Sequence, residues 1–141
     1  MNPQIAYLLN LSTQQIQSGR LEDAEQNLQK VIKLEPKNAY AFSFLSIVFA
    51  YRMDYEAALI FIEKSILFDP KNSHSYNNKG NILKELGRLE EAFQSYKKSI
   101  HILSSNPEPY NNLGNLQQDL EQYLESLSSY ETAIKLNPNY V

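Results

Sequence analysis

Asparagine carboxamides are the groups in this sequence whose type and spacing could do chemistry. Two matched blocks, Tyr76–Asn81 and Tyr110–Asn115, each read YNN, one other residue, then GN. Asparagine is disfavoured inside helices because its amide competes for backbone hydrogen bonds, so its repetition needs a reason. A carboxamide both donates and accepts, which is the set needed to grip the N–H and C=O groups of an extended peptide. We therefore predict a peptide-binding surface.

The predicted peptide contacts follow a 34-residue period. Asn10, Asn78 and Asn112 occupy the same position of that period, 68 and 34 residues apart, and would form a ladder along a groove. The other amides assigned to the surface are Asn77, Asn81, Asn111 and Asn115. Solvated polar filler is the alternative interpretation of all seven, and the sequence alone leaves it open.

A second predicted part of the surface is apolar. Phe44 stands where the ladder would have its fourth asparagine, and Ile47 and Tyr51 lie on the same predicted helix face. We expect these three residues to hold an apolar side chain of a partner. Burial between neighbouring repeats is the alternative.

Catalytic and metal-binding patterns are not apparent. His74 and His101 are the only histidines, and neither has a partner at metal-ligand spacing. There is no cysteine and no glycine-rich phosphate loop. Carboxylates such as Glu22 and Glu56 lie near predicted helix starts, where they favour the helix dipole. We therefore expect no enzyme activity, no metal and no cofactor.

The charge pattern narrows the choice of partners. The formal net charge is −3, and the basic residues are scattered among acidic ones, so we expect no nucleic-acid or membrane-surface binding. The most apolar stretch, residues 39–51, is shorter than the roughly 18 residues of a membrane span. The amino terminus lacks the features of a secretory signal. We expect a cytoplasmic protein.

Helical hairpins must position these residues. Pro36, Pro70 and Pro138 are separated by 34 and 68 residues, and Ser104 occupies the remaining slot. This register gives repeats at residues 5–38, 39–72, 73–106 and 107–140. Apolar residues recur at helical spacing in two runs within each repeat. The sequence therefore predicts four helix pairs in a single domain spanning 1–141.

Helix start and stop signals agree with this register. Gly19 and Gly87 lie where a helix must end with positive φ, and Asn38, Asn72 and Asn106 lie where a side chain can cap the next helix. Pro107 is placed as a first helical residue. Because Ser104 replaces a proline, we expect the linker of Ser104 and Ser105 to bend differently from its equivalents. Ser12, Ser46 and Ser126 replace the usual Gly or Ala, so we also expect slightly looser packing there.

The repeat resembles the tetratricopeptide repeat, or TPR, whose signature is W-x₂-L-G-x₂-Y…A-x₃-F…P. The match in repeat four is carried by Tyr110, Leu113, Gly114, Tyr130, Ala133 and Pro138. Repeat three matches at Tyr76, Gly80, Leu83, Ala92 and Tyr96; repeat two at Phe42, Leu45, Phe49, Ala58 and Pro70; repeat one at Leu8, Leu11, Ala24, Leu28 and Pro36. The resemblance implies an all-α, right-handed superhelical solenoid of four antiparallel hairpins. Its first helices would line a concave, protein-binding wall, and Tyr76 and Tyr110 would be core residues.

The two asparagine blocks also resemble the superhelix of protein O-linked N-acetylglucosamine transferases, in which an asparagine ladder binds peptides. That resemblance leaves open a substrate-selecting arm of a larger glycosyltransferase-type enzyme. Another use of the fold, a clamp for an acidic carboxyl terminus, needs converging cations, and the predicted wall offers only Lys84 beside Glu85.

The end of repeat four is predicted to be an open edge. Tyr140 and Val141 would begin another first helix, and no polar helix follows to cap the array, so we expect a fragment of a longer chain. A module that self-associates through this uncapped carboxyl-terminal repeat is therefore an alternative to the peptide-binding scaffold.

Overall fold

The computed structural model describes residues 1–139, which hold eight α-helices and no strand. The predicted all-α class is thus confirmed. The helices are α1 (Pro3–Gln17), α2 (Leu21–Leu34), α3 (Ala39–Tyr51), α4 (Tyr55–Phe68), α5 (Ser73–Glu85), α6 (Leu89–Ile102), α7 (Pro107–Asp119) and α8 (Tyr123–Leu136). The predicted helix start at Tyr140 and Val141 lies outside the described residues.

The chain divides into two compact units, and each contains two helical hairpins. The first unit is Met1–Pro70 with α1 to α4, and the second is Lys71–Val141 with α5 to α8. Apolar side chains of α1, α2 and α3 form one core in the first unit, because each helix buries one stripe against its neighbours. Its buried members are Ile5, Leu8, Leu9, Ala24, Leu28, Val31, Ala41, Leu45 and Val48.

Asparagine side chains cap the first helices, as predicted. The Asn38 side chain accepts a hydrogen bond from the Ala41 backbone N–H at 2.9 Å. Asn72 and Asn106 cap α5 and α7 in the same way. Each cap satisfies a backbone donor that the first helical turn leaves unpaired.

Every hairpin turn contains one residue in the left-handed region. The two predicted glycines have positive φ, 75° at Gly19 and 73° at Gly87. Met53 and Glu121 occupy the equivalent positions of the other two hairpins with φ of 61° and 59°. The turn geometry is therefore the same in all four hairpins, whether or not a glycine is present.

The chain enters the linker at Ser104 with the same backbone geometry as it has before Pro36. Leu103, which precedes it, has φ −141° and ψ 89°, close to the φ −138° and ψ 89° of Glu35 before Pro36. The backbone N–H of Asn106 donates to the Leu103 carbonyl, as Asn38 donates to Glu35. The residue before the linker therefore has the same conformation whether serine or proline follows it.

Within a hairpin, the small residue of the first helix is matched to the residue opposite it. A Cβ atom on Gly80 would lie 2.5 Å from the Tyr96 ring, and one on Gly114 would lie 2.7 Å from the Tyr130 ring. In repeats one and two, serine replaces the glycine and the aromatic position holds Leu28 or Ile62.

Two of the three serine replacements make buried hydrogen bonds. Ser12 Oγ donates to the Leu8 carbonyl at 2.7 Å, and Ser126 Oγ donates to the Gly114 carbonyl at 2.9 Å. Ser46 Oγ is buried and has no hydrogen-bond partner among residues 1–139. Of the three hydroxyls, Ser46 Oγ is thus the one left unpaired within the described residues.

Candidate functional site

One face of the second unit is lined with carboxamides from α5 and α7. We call it the amide face and define it by Asn77, Asn78, Asn81, Asn111, Asn112 and Asn115. Positions three and four residues apart share a face of a helix, and Asn81 follows Asn78 by three residues and Asn77 by four, as Asn115 follows its two partners in α7, so each helix presents its three amides on the same side. Asn77 is buried, whereas the other five are half-buried.

Tyrosines of the second helices fix two of these amides. Tyr96 Oη donates to Asn81 Oδ1 at 2.8 Å. Tyr130 Oη lies 2.6 Å from Asn115 Oδ1 and 3.1 Å from Gln118 Oε1. Burial, with a smaller effect from Glu85, raises the pKa of Tyr96 above its ordinary value, so its hydroxyl remains a donor at neutral pH.

A third hydrogen bond joins the two helices of the amide face. Asn112 Nδ2 donates to Asn77 Oδ1 at 3.0 Å. Asn77 is only 1% exposed, so its position is that of a support for Asn112 rather than of an open groove residue. Asn111 stands at the equivalent position of α7, and its side chain is half-buried.

These three hydrogen bonds leave one polar atom of Asn81, of Asn112 and of Asn115 available to a ligand. Asn81 Nδ2, Asn115 Nδ2 and Asn112 Oδ1 have no partner within residues 1–139. The face thus offers two oriented amide donors and one oriented acceptor, with Asn78 and Asn111 adding both kinds of atom. This is a set that matches the alternating N–H and C=O groups of an extended chain.

The only cation predicted for the wall is neutralised within the second unit. Lys84 Nζ lies 3.0 Å from Asp119 Oδ2, which joins the ends of α5 and α7. A lysine already paired with a carboxylate is poorly suited to hold a second one. The Lys84–Asp119 pair therefore adds no net charge at the ends of α5 and α7.

The first unit has a cavity of about 290 Å³ between α1 and α3. We call it the α1/α3 pocket. It brings together Asn10 and Phe44, two of the predicted site residues, with Tyr40 beside them. The rest of its lining is Met1, Ala6, Leu9 and Thr13. Apolar walls with one exposed carboxamide can hold an apolar side chain and bond its backbone.

The three predicted apolar contacts are not all in this pocket. Phe44 lines it and also packs against the core of the first unit. Ile47 is half-buried and Tyr51 is 66% exposed, and neither lines the pocket. Their contact with a peptide stays a prediction.

Sequence reasoning missed the residues that orient the amides. Tyr96 and Tyr130 were identified only as matches to the repeat signature, although each lies 15 residues after the asparagine that it binds. That spacing occurs in both repeats of the second unit and could have served as a signal. Tyr76 and Tyr110, expected in the core, are half-buried.

Two features of the described residues bear on other functions. Within residues 1–139, no three His, Asp or Glu side chains converge where they could hold a metal ion. In the same part of the chain, no helix has both the length and the apolar character of a membrane span.

The chain is built of helical hairpins that repeat every 34 residues. This repetition defines the class of helical-repeat proteins. Models described as tetratricopeptide repeat match residues 5–38, 61–94 and 107–140, and one described as TPR repeat matches residues 80–121. The chain belongs to the tetratricopeptide repeat family, whose fold generally supports protein-interaction scaffolds.

Solved structures agree with this assignment. PilF of Pseudomonas aeruginosa is 25% identical with a TM-score of 0.91; the match covers 96% of this chain and 62% of that one. A thermophilic TPR protein of Thermus thermophilus is 22% identical with a TM-score of 0.89, covering 99% and 77%. MamA of Desulfovibrio magneticus is 17% identical with a TM-score of 0.82, covering 96% and 77%. No curated protein sequence matches the chain.

Proposed function

We propose that this chain is a scaffold that binds extended segments of partner proteins on the faces of its first helices. The observation that carries the proposal is the orientation of the amide face. Two tyrosine hydroxyls and one buried asparagine hold three carboxamides so that two donors and one acceptor remain for a ligand. Because these amides are already held in place, they lose little conformational freedom when a peptide binds. The cost of ordering them is therefore small, which favours binding of a peptide backbone.

The α1/α3 pocket gives the first unit a different role in the proposal. Its volume of about 290 Å³ is enough for one apolar side chain, and Asn10 at its rim can bond the backbone beside that side chain. The two units therefore recognise different features of a partner: the first selects an apolar residue, and the second grips the backbone without regard to sequence.

The test of the amide face is binding to an array of extended peptides. The variant Asn78→Ala/Asn112→Ala removes one pair of equivalent amides from α5 and α7. Two lost hydrogen bonds of about 1 kcal/mol each predict roughly a tenfold or larger rise in Kd for most bound peptides. The matched control is Gln26→Ala/Gln94→Ala, which deletes two exposed amides from second helices. Equal affinities of wild type and the Asn78/Asn112 variant would rule out the ladder.

The role of the α1/α3 pocket is tested by a substitution that fills the pocket without disturbing the core. Ala6 lines the pocket and is exposed, so Ala6→Trp places an indole where a ligand side chain would lie. We expect this variant to lose the preference for peptides with a large apolar residue while still binding polar peptides. Gln14→Trp, on the same helix but outside the pocket lining, is the control. If both variants keep the same peptide preference, the pocket is not the selecting element.

A further inference from the structure

The face of α8 that lies away from α7 carries an exposed apolar stripe. Tyr123 is 63% exposed, Leu127 is 55% exposed and Ile134 is 52% exposed, and their spacing of four and seven residues places them on one side of the helix. Leu124 extends the stripe at 82% exposure. Adjoining exposed apolar side chains on a folded protein mark an interaction surface.

The repeat shows what covers this face elsewhere in the chain. Ile32 of α2 and Ile100 of α6 are equivalent to Ile134, and both are half-buried. In the second unit α6 packs against α7, where Ile100 lies beside Tyr110 and Leu113. This face of α2 and of α6 thus receives the next helix of its unit, whereas no helix among residues 1–139 covers it on α8.

One position distinguishes α8 from its equivalents. Leu124 occupies the position that is Glu22, Glu56 and Glu90 in the other repeats. In the first unit, Arg52 of the next hairpin pairs with Glu25 at 2.7 Å and with Glu22 at 3.9 Å. Leu124 and Leu127 replace this acidic pair on α8, so the stripe is wider there and carries no charge that needs a basic partner.

We propose that the α8 stripe is a dimer interface that pairs with the α8 stripe of a second copy about a two-fold axis. Near such an axis each residue faces its own copy, so an acidic pair would place like charges together, whereas Leu124 and Leu127 meet as apolar surfaces. Antiparallel helices also align their dipoles favourably. The flanking residues Glu131 and Lys135 have opposite signs, which removes a like-charge barrier.

Head-to-tail stacking of α1 on the α8 of another copy is opposed by Tyr7. The equivalent residues of the other first helices are Ala41, Ser75 and Pro109, all buried, whereas Tyr7 is 65% exposed. A phenol has no room where the repeat buries alanine, serine or proline. Association is therefore expected to stop at two copies rather than form a filament.

The test is sedimentation of the full chain over a range of concentrations. Wild type is expected to form dimers and nothing larger. Leu127→Glu puts two carboxylates at the apolar interface and is expected to raise the dimer Kd at least about tenfold. Ile60→Glu is the matched control, because Ile60 of α4 is 57% exposed, close to the 55% of Leu127, but lies outside the stripe. A monomer at every concentration, or equal effects of the two variants, overturns the proposal.

Cross-linking separates the two-fold arrangement from head-to-tail stacking. The chain has no cysteine, so single cysteines can be introduced cleanly. Leu124→Cys, beside the proposed axis, is expected to cross-link to itself between copies with a short bismaleimide. Cross-linking of Leu124→Cys to Gln4→Cys in a mixture, in preference to itself, would show head-to-tail contact and overturn the two-fold axis. The inference is independent of peptide binding and is tested without any peptide.

Discussion

One residue in each of the four hairpin turns adopts the left-handed backbone conformation. The energetic cost of this conformation differs among the four residues. Glycine takes positive φ without a steric penalty, as at Gly19 and Gly87. Met53 and Glu121 have a Cβ atom, which in this region approaches the following carbonyl oxygen. The hydrogen bonds of the turn therefore impose the geometry, and repeats two and four absorb the resulting strain.

We expect Met53→Gly to raise the free energy of unfolding by about 0.5–1 kcal/mol. Relief of the left-handed strain, about 1–2 kcal/mol, exceeds the entropy that glycine adds to the unfolded chain. Met53 is 77% exposed, so little packing is lost. Urea unfolding measures the change, and Gly87→Ala, which introduces the same strain, should shift it in the opposite direction. A lower stability of Met53→Gly would show that the methionine side chain contributes more than its strain costs.

The buried Tyr96 hydroxyl makes a prediction about pH. Burial raises the pKa of Tyr96 above its ordinary value of 10.0, so the folded state keeps a proton that the unfolded chain loses above about pH 10. The stability that comes from the protonated hydroxyl is therefore present below pH 10 and falls as the pH rises above it.

Comparison with Tyr96→Phe isolates this effect. We expect wild type to be the more stable at pH 8, by about 1 kcal/mol for the hydrogen bond to Asn81, and the difference to shrink by up to about 1.4 kcal/mol per pH unit above pH 10. Chemical unfolding at a series of pH values measures it. Tyr7→Phe, at an exposed tyrosine, should show no such trend. Parallel curves for wild type and Tyr96→Phe would contradict the assignment.

At the scale of the helical pair, small and large residues vary together. Gly80 and Gly114 lie against tyrosine rings, whereas Ser12 and Ser46 have Leu28 and Ile62 at the equivalent opposite positions. The glycine of the family signature is thus required only where a ring crosses the first helix. The sequence showed each member of these pairs, but not that they touch, because the repeat period compares equivalent residues rather than facing ones.

A double-mutant cycle tests this matching. Gly80→Ser should cost about 1–3 kcal/mol, because its Cβ would press on the Tyr96 ring at 2.5 Å. Tyr96→Leu alone should cost about 2–4 kcal/mol by leaving a cavity. The double variant recreates the serine and leucine of repeat one and should be more stable than the sum of the single changes predicts, by about 1–2 kcal/mol. Additive costs, measured by thermal unfolding, would show that the two positions do not interact.

For the molecule as a whole, the 34-residue period was enough to predict eight helices, their caps and the all-α class. These features depend on local signals, such as Asn38 as a helix cap and Gly19 in a turn. Signals of this kind can be read from the residue types alone. The support of the amide face was not predicted, because the bonds from Tyr96 and Tyr130 connect helices of one hairpin across 15 residues. Contact between faces depends on side-chain length and direction, which periodicity does not encode.

Charge balance over the whole chain distinguishes the proposed peptide binding from recognition of acidic or basic tails. The net charge is only −3, and Lys84, the one cation predicted for the binding wall, is paired with Asp119. Hydrogen bonds from neutral carboxamides and burial of an apolar side chain depend weakly on ionic strength, whereas ion pairs are screened strongly. Binding through the two faces should therefore be nearly insensitive to salt.

We expect the Kd of array-selected peptides to change less than about twofold between roughly 50 mM and 500 mM NaCl, a range that shortens the Debye length about threefold. Fluorescence polarisation with a labelled peptide measures this. Asp119→Asn frees Lys84 from its carboxylate partner and provides the internal comparison, since binding of acidic peptides to this variant should become both tighter and salt-dependent. A strong loss of wild-type affinity at high salt would mean that charges, rather than oriented amides, carry the recognition.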